Sequence, residues 1–217
     1  MTSADQSLSE KIYRELRERI IAGEITPGSR LREQDLADQL NVSRVPVREA
    51  LPQLAIDGFI QMLPRRGAIV TQLTVRDVEE LFDIRESLEV LAARLASKRA
   101  ATVGAEPLHT ALLRARATAA TTDEAEIAAA NAGFHEAILE LSGNRMLLTL
   151  TRPTAARLQW LFRLTSFRSQ GQLEEHEQLF DAIASGNEAL AASIAYTHTA
   201  RGRAPSIEAL REILPLE

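Results

Sequence analysis

The chain has no cysteine among its 217 residues, which removes disulfides, thiolate metal ligands and cysteine nucleophiles together. Aromatic residues are scarce at 4%, whereas Ala, Leu, Arg and Glu are abundant. That balance disfavours extended sheet, which draws on aromatic and β-branched side chains, and favours helix. No apolar run approaches the ~18 residues of a membrane span. Asp5 and Glu10 stand where a secretory leader needs a basic and then an apolar stretch, so a cytoplasmic protein is expected. An excess of positive charge is also missing: the formal net charge of -5 excludes an indiscriminate polycation.

Hydrophobic residues (45%) and charged residues (25%) stand in the proportion of an ordinary globular protein, and the length suits two domains. The charge is unevenly spread. Residues 1–72 hold ten Lys or Arg against ten Asp or Glu, so the acidity belongs to the remainder. Within residues 43–67, four arginines face only Glu49 and Asp57, a locally basic window.

Leu8, Ile12, Leu16 and Ile20 recur every four residues and predict a helix over 8–22, with Gly23 at its C-terminal end. Turn chemistry at Thr26-Pro27-Gly28-Ser29 precedes a short helix from Arg32 to Leu40, closed by Asn41. Ser43 can cap a third helix that turns Val47, Ala50, Leu51 and Leu54 inward and stops near Gly58. Phe59–Leu63 and Ala68–Thr71 then flank Pro64-Arg65-Arg66-Gly67, which reads as a β-hairpin with an arginine tip. Thr74 and Asp77 form a capping-box pattern that opens a long helix, placing a boundary between a domain at 1–72 and one at 73–217. Further helices are predicted over 107–120, 123–142, 145–167, 172–185 and 187–202, with the tail Ala204–Glu217 as a candidate seventh before Pro215. The fold expected is mainly α: a winged helix-turn-helix with a small β-hairpin wing, then an antiparallel bundle of six or seven helices.

Two short helices and a wing are a device for setting one helix in the DNA major groove while flanking elements grip phosphates. Arg44 and Arg48 fall at i and i+4 near the start of the third helix, where arginine can bind guanine O6 and N7 with two hydrogen bonds. Ser43 and Gln34 can add hydrogen bonds, and Arg65 and Arg66 can reach the backbone or the narrow minor groove. In the second half, Asn131 and His135 rise from one helix face, and His176 and His198 lie on two other helices. Three imidazoles and one oxygen suit zinc, nickel or a similar borderline metal, with a position left for a small molecule. His109 stands apart from this set.

The stretches Gly23–Leu31, Leu36-Ala37, Val42–Leu51, Asp57–Ile60 and Arg65–Ala68 resemble the GntR family of bacterial transcription regulators across nearly all of residues 10–71. The resemblance implies that Ser43, Arg44, Arg48, Arg66 and Gly67 contact operator DNA. One departure is Pro52, which stands where a polar helix former is usual and removes a backbone hydrogen bond to the Arg48 carbonyl. Arg85–Glu89, Asn131–His135, Ser142-Gly143-Asn144, Glu175-His176 and His198 resemble the FCD ligand-sensing domain of the FadR branch over roughly residues 75–203. That resemblance implies a divalent metal held by three histidines and an aspartate, with a carboxylate effector completing the shell; Asn131 replaces the aspartate and gives up its charge. Arg85, Asn144 and Arg157 are candidates to hold an anionic effector.

The leading reading is a homodimeric transcription regulator, a repressor, that binds a palindromic operator and answers a small organic acid. A different reading makes the histidines a zinc hydrolase with Glu136, Glu175 or Glu177 as general base, but no hydrolase signature is present and the winged helix would be idle. A structural DNA-binding protein without an effector would leave the C-terminal two thirds without a task.

Overall fold

The computed structural model describes residues 7–64, 66–118, 121, 123–165 and 171–213. Among them, α1 (Leu8–Ile21), β1 (Arg30–Leu31), α2 (Glu33–Leu40), α3 (Arg44–Ile56), β2 (Ile60–Leu63) and β3 (Gly67–Val70) come first. Then follow α4 (Val75–Val103), α5 (Glu106–Thr118), α6 (Glu124–Ser142), α7 (Arg145–Thr165), α8 (Gln172–Ala184) and α9 (Glu188–Ile213). The chain falls into two compact units, Met1–Leu73 and Thr74–Glu217. Among the described residues, no helix is long and apolar enough to cross a membrane.

In the first unit, α1 opens on a capping box between Ser7 and Glu10 and buries Ile12, Leu16 and Ile20 against α3. Leu8, on the same predicted face, lies in the first turn and is exposed. Arg32 sits in extended conformation just ahead of α2, and Asn41 ends that helix at φ 53, a left-handed conformation that asparagine tolerates. Ser43 is at the N-cap of α3, yet its side chain makes no capping bond. α3 continues through Pro52, whose ring lies on the exposed side of the helix.

The wing is larger than a hairpin. β3 pairs antiparallel with β2, Leu63 opposite Gly67, and also with β1, Leu31 opposite Ala68, in the order β1-β3-β2. β1 has two residues, too few to leave an alternation in the sequence. Its carbonyl at Leu31 comes so near Gly67 that an added Cβ would lie 2.3 Å from it, and Gly67 has φ +83. No other residue meets both conditions without strain.

In the second unit, the Thr74–Asp77 capping box is formed and starts α4, which packs against α6, α7, α8 and α9. Ala92, Ala93, Ala96, Ser97 and Ala100 are buried along it, and these small side chains let neighbouring helices approach closely. Phe134, Ile138, Leu179 and Ile183 fill the space beside them. The tail does not make a seventh helix. α9 runs without a break from Glu188 to Ile213, through Gly202 and Pro205. Both residue types disfavour a helix interior, but burial of Ser206 and Leu210 beyond them keeps the chain on the bundle. Pro215 lies outside the described residues.

Replacing Gly67 with Ala should cost about 2 kcal/mol or more, from the left-handed φ and the contact with the Leu31 carbonyl. Thermal unfolding of the variant checks this, and an unchanged melting temperature would remove the argument.

Candidate functional sites: a basic groove and a three-histidine centre

An open cavity of about 440 Å³ in the first unit is lined by Arg32, Glu33, Gln34, Arg44, Arg48, Met62, Leu63, Arg66 and Gly67. The start of α2, the exposed start of α3 and the wing thus converge on one groove. Gln34, Arg44, Arg48, Arg66 and Gly67 are brought together; Ser43 precedes Arg44 at the exposed N-cap, and Arg65 lies outside the described residues. The arginines are not loose. Glu33 Oε2 accepts hydrogen bonds from Arg48 Nε (3.0 Å) and Nη2 (2.9 Å) and from Arg44 Nη2 (3.3 Å). Bonding from Arg48 leads the lowering of the Glu33 pKa, so the carboxylate stays ionised between two guanidinium groups. Gln34 donates to Asp38 at 2.9 Å. Glu33 was not among the residues read from the sequence, because its bonds run to residues 11 and 15 positions away and leave no local pattern.

In the second unit, one imidazole nitrogen each from His135 on α6, His176 on α8 and His198 on α9 lies within 4.8 Å of the others. Ring centroids are 5.1 to 5.2 Å apart. The Nε2 atoms of all three are buried with no hydrogen-bond partner. Their opposite nitrogens are braced where acids are near. His198 Nδ1 meets Glu175 Oε2 at 2.7 Å, and Arg201 donates to the other oxygen of Glu175 at 2.6 Å. His135 Nδ1 lies 3.4 Å from Glu89 Oε2, and His176 stacks on Phe134 at 4.3 Å.

Burial, reinforced by the facing imidazoles, pushes His176 down to about 2 and His198 down to about 4, so both rings are neutral at pH 7. Burial also works against ionisation of Glu89, but Arg85 and then His135 hold its carboxyl well below the usual range. Glu175 is lowered against the same opposition by Arg201 and His198. An ionised Glu175 accepts the Nδ1 proton of His198 and leaves the Nε2 lone pair free, the tautomer that binds a metal. Buried, unpartnered Nε2 atoms beside carboxylates that orient the rings are a donor set fit for a borderline divalent cation.

The other residues named from the sequence fall differently. Asn131 Oδ1 accepts a hydrogen bond from Gln172 Nε2 at 2.7 Å. Arg85 is buried and donates to Glu89 from Nε at 2.5 Å, so its charge is already matched within the protein. Asn144 caps α7, accepting from the Leu147 amide at 3.1 Å. Arg157 Nη2 lies 4.0 Å from Asp77, with its Nε buried and unpartnered. Neither base invoked for a hydrolase on α8 is free: Glu175 is committed to His198 and Arg201, and Glu177 accepts from Arg116 at 2.7 Å. Glu136 is exposed, on the side of α6 away from the buried ring of Phe134. Missed residues include Gln172, four before His176 as Asn131 is four before His135, a repeated spacing that was available in the sequence.

Residues 8–70 match the model of the bacterial regulatory proteins, gntR family, and residues 80–201 match that of the FCD domain. YdhC, an HTH-type transcriptional regulator of Bacillus subtilis (strain 168), is 31% identical over 193 residues, 87% of this chain and 86% of its own. The HTH-type transcriptional repressor RspR of Escherichia coli (strain K12) is 40% identical over 92 residues, 42% of this chain and 40% of its own. The crystal structure of a GntR transcriptional regulator from Rhodococcus sp. RHA1 superposes with a TM-score of 0.80 at 27% identity, covering 94% of this chain and 99% of that one. The groove-forming winged helix and the helical unit behind the histidine centre therefore belong to one recognised arrangement, and the chain is a member of the GntR family with a C-terminal FCD domain, a DNA-binding transcription regulator and not an enzyme.

Proposed function

We propose that the chain is a homodimeric, cytoplasmic repressor whose hold on a palindromic operator changes when a small carboxylic acid binds through a divalent metal in the FCD domain. The observation that carries the metal is the trio of buried Nε2 atoms without protein partners. Leaving polar atoms unsatisfied costs roughly 1–3 kcal/mol each, which a bound cation would offset. Zinc or nickel fits the imidazole donors; His135, His176 and His198 would hold it, with Asn131 as the neutral oxygen neighbour. When bound, the ion supplies a Lewis-acid position at which an effector carboxylate can complete the shell. The repressor reading is supported by RspR, a relative that bears that name. Coupling requires that the acid bind better to one arrangement of the dimer than to another, because a ligand shifts an equilibrium only by its differential affinity.

On DNA, Arg44 and Arg48 read base edges from α3, while Arg66 and the amide of Gly67 approach the backbone from the wing. Arg44→Ala should weaken operator binding by about 1–3 kcal/mol and relax the base preference. Arg66→Ala should weaken all sequences alike and reduce the slope of log K against log salt by ~1. Binding titrations over a salt series test both, and wild-type behaviour of the two variants would sink the assignment. Glu33→Gln should release the arginines and remove a repelling charge, so that non-specific DNA binds tighter and the specificity ratio falls by roughly tenfold. An unchanged ratio would show that Glu33 has no part in discrimination.

For the metal, saturation at 100 times Kd should stabilise chelator-stripped protein by about 2.7 kcal/mol and raise its melting temperature. His176→Ala should lose metal uptake and the response to carboxylic acids while still folding. A wild-type melt indifferent to zinc and nickel, or equal metal content in the variant, would refute the reading.

A further inference from the structure

Two helices approach the histidine centre with the same short pattern. α6 presents Asn131 one turn before His135, and α8 presents Gln172 one turn before His176. Residues four apart share a helix face, and side chains lean toward the helix N-terminus. The two histidines meet edge to face at 5.1 Å, and one turn away the two amides meet through the 2.7 Å bond from Gln172 Nε2 to Asn131 Oδ1. Gln172 is the first residue of α8, with Glu175 and His176 on the same face; Glu175 braces His198. The N-cap of α8 is Gly171, with no side-chain capping bond, so Gln172 is committed to α6 and not to its own helix end.

The terminal torsion of asparagine is soft, and a lone Asn131 would present its oxygen or its NH2 group almost equally well. In the structure Gln172 Nε2 donates to Oδ1, which selects the orientation that keeps this oxygen toward α8. An amide oxygen has two lone pairs, so one bond to Gln172 leaves a second for a cation. This matters more for an amide than for a carboxylate, which offers an oxygen in either orientation and adds a full charge.

Resting on the metal reading above, we infer that Gln172 is a positioning residue of the metal site, which fixes the Asn131 amide with its oxygen available and makes the two amides work as one unit. The fourth position of the shell is then a property of the pair, and Asn131 without Gln172 is a poor ligand.

The test is a cobalt(II) titration of the chelator-stripped full chain, followed by visible absorption, for wild type, Gln172→Met, Asn131→Ala and the double variant. Met keeps the length of the side chain and removes the donor. Each single change should weaken cobalt binding about tenfold, within the range for residues that orient ligands, and should alter the absorption band. The double variant should be little weaker than either single one, the signature of coupled residues. Gln172→Ser, shorter and polar, serves if the Met variant does not fold, and should show the same loss. Wild-type affinity and spectrum in the Gln172 variant, or additive losses in the double one, would overturn the inference while leaving the three-histidine site intact. Failure of the wild-type protein to bind cobalt would overturn the metal reading itself.

Discussion

Three imidazoles packed with ring centroids little more than 5 Å apart in a helical bundle cannot all be cations, and that constraint orders the second unit. His176 and His198 stay neutral because burial disfavours their charged form, and two acids face the ring nitrogens on the outer side: Glu175 opposite His198 and Glu89 opposite His135. Each acid needs its own cation to remain ionised away from water, supplied by Arg201 and Arg85. The members come from α4, α6, α8 and α9, so the relative register of four helices is tied to one cluster. A shift of one residue in any of them would leave a charge or a ring without its counterpart. The same cluster leaves three buried Nε2 atoms without protein partners, which makes it the candidate ligand site of the unit.

The first unit rests on a smaller version of the same idea. Arg44 and Arg48 would repel one another and sample many rotamers if free; a single shared carboxylate holds both at the groove. An acid kept there lowers the positive potential of the groove and sets the direction of both guanidinium groups. The wing completes the groove because β1 ties β3 back to the chain just before α2, bringing Arg66 and Gly67 to the same cavity as the two helices.

Much of the architecture can be read from short-range pattern. The spacing of Ile12, Leu16 and Ile20, the left-handed stop at Asn41, the Thr74–Asp77 capping box and the glycine-marked breaks are all written within a few residues of where they act, since helices are built from local contacts. So were the three histidines legible, through their rarity. β1 was not, since two residues carry no period. The break expected between 187–202 and the tail from Ala204 does not occur, because burial of Ser206 and Leu210 carries the helix past Gly202 and Pro205. Arg85 is a candidate to hold an anionic effector from its residue type, and its partner Glu89 stands four residues on, at ordinary ion-pair spacing.

By itself, then, the amino-acid order determined the helical class, the winged N-terminal motif, the absence of thiol chemistry and the identity of the rare residues from which sites can be made. Packing decided which of them have work to do. Glu33 became a clamp, Glu175 became the brace of His198 and Gln172 the partner of Asn131 only when elements far apart in sequence were brought side by side. The reason is physical: propensity and periodicity act over one or two turns, whereas hydrogen bonds, charge pairing and desolvation depend on distances of a few ångströms that no local pattern encodes.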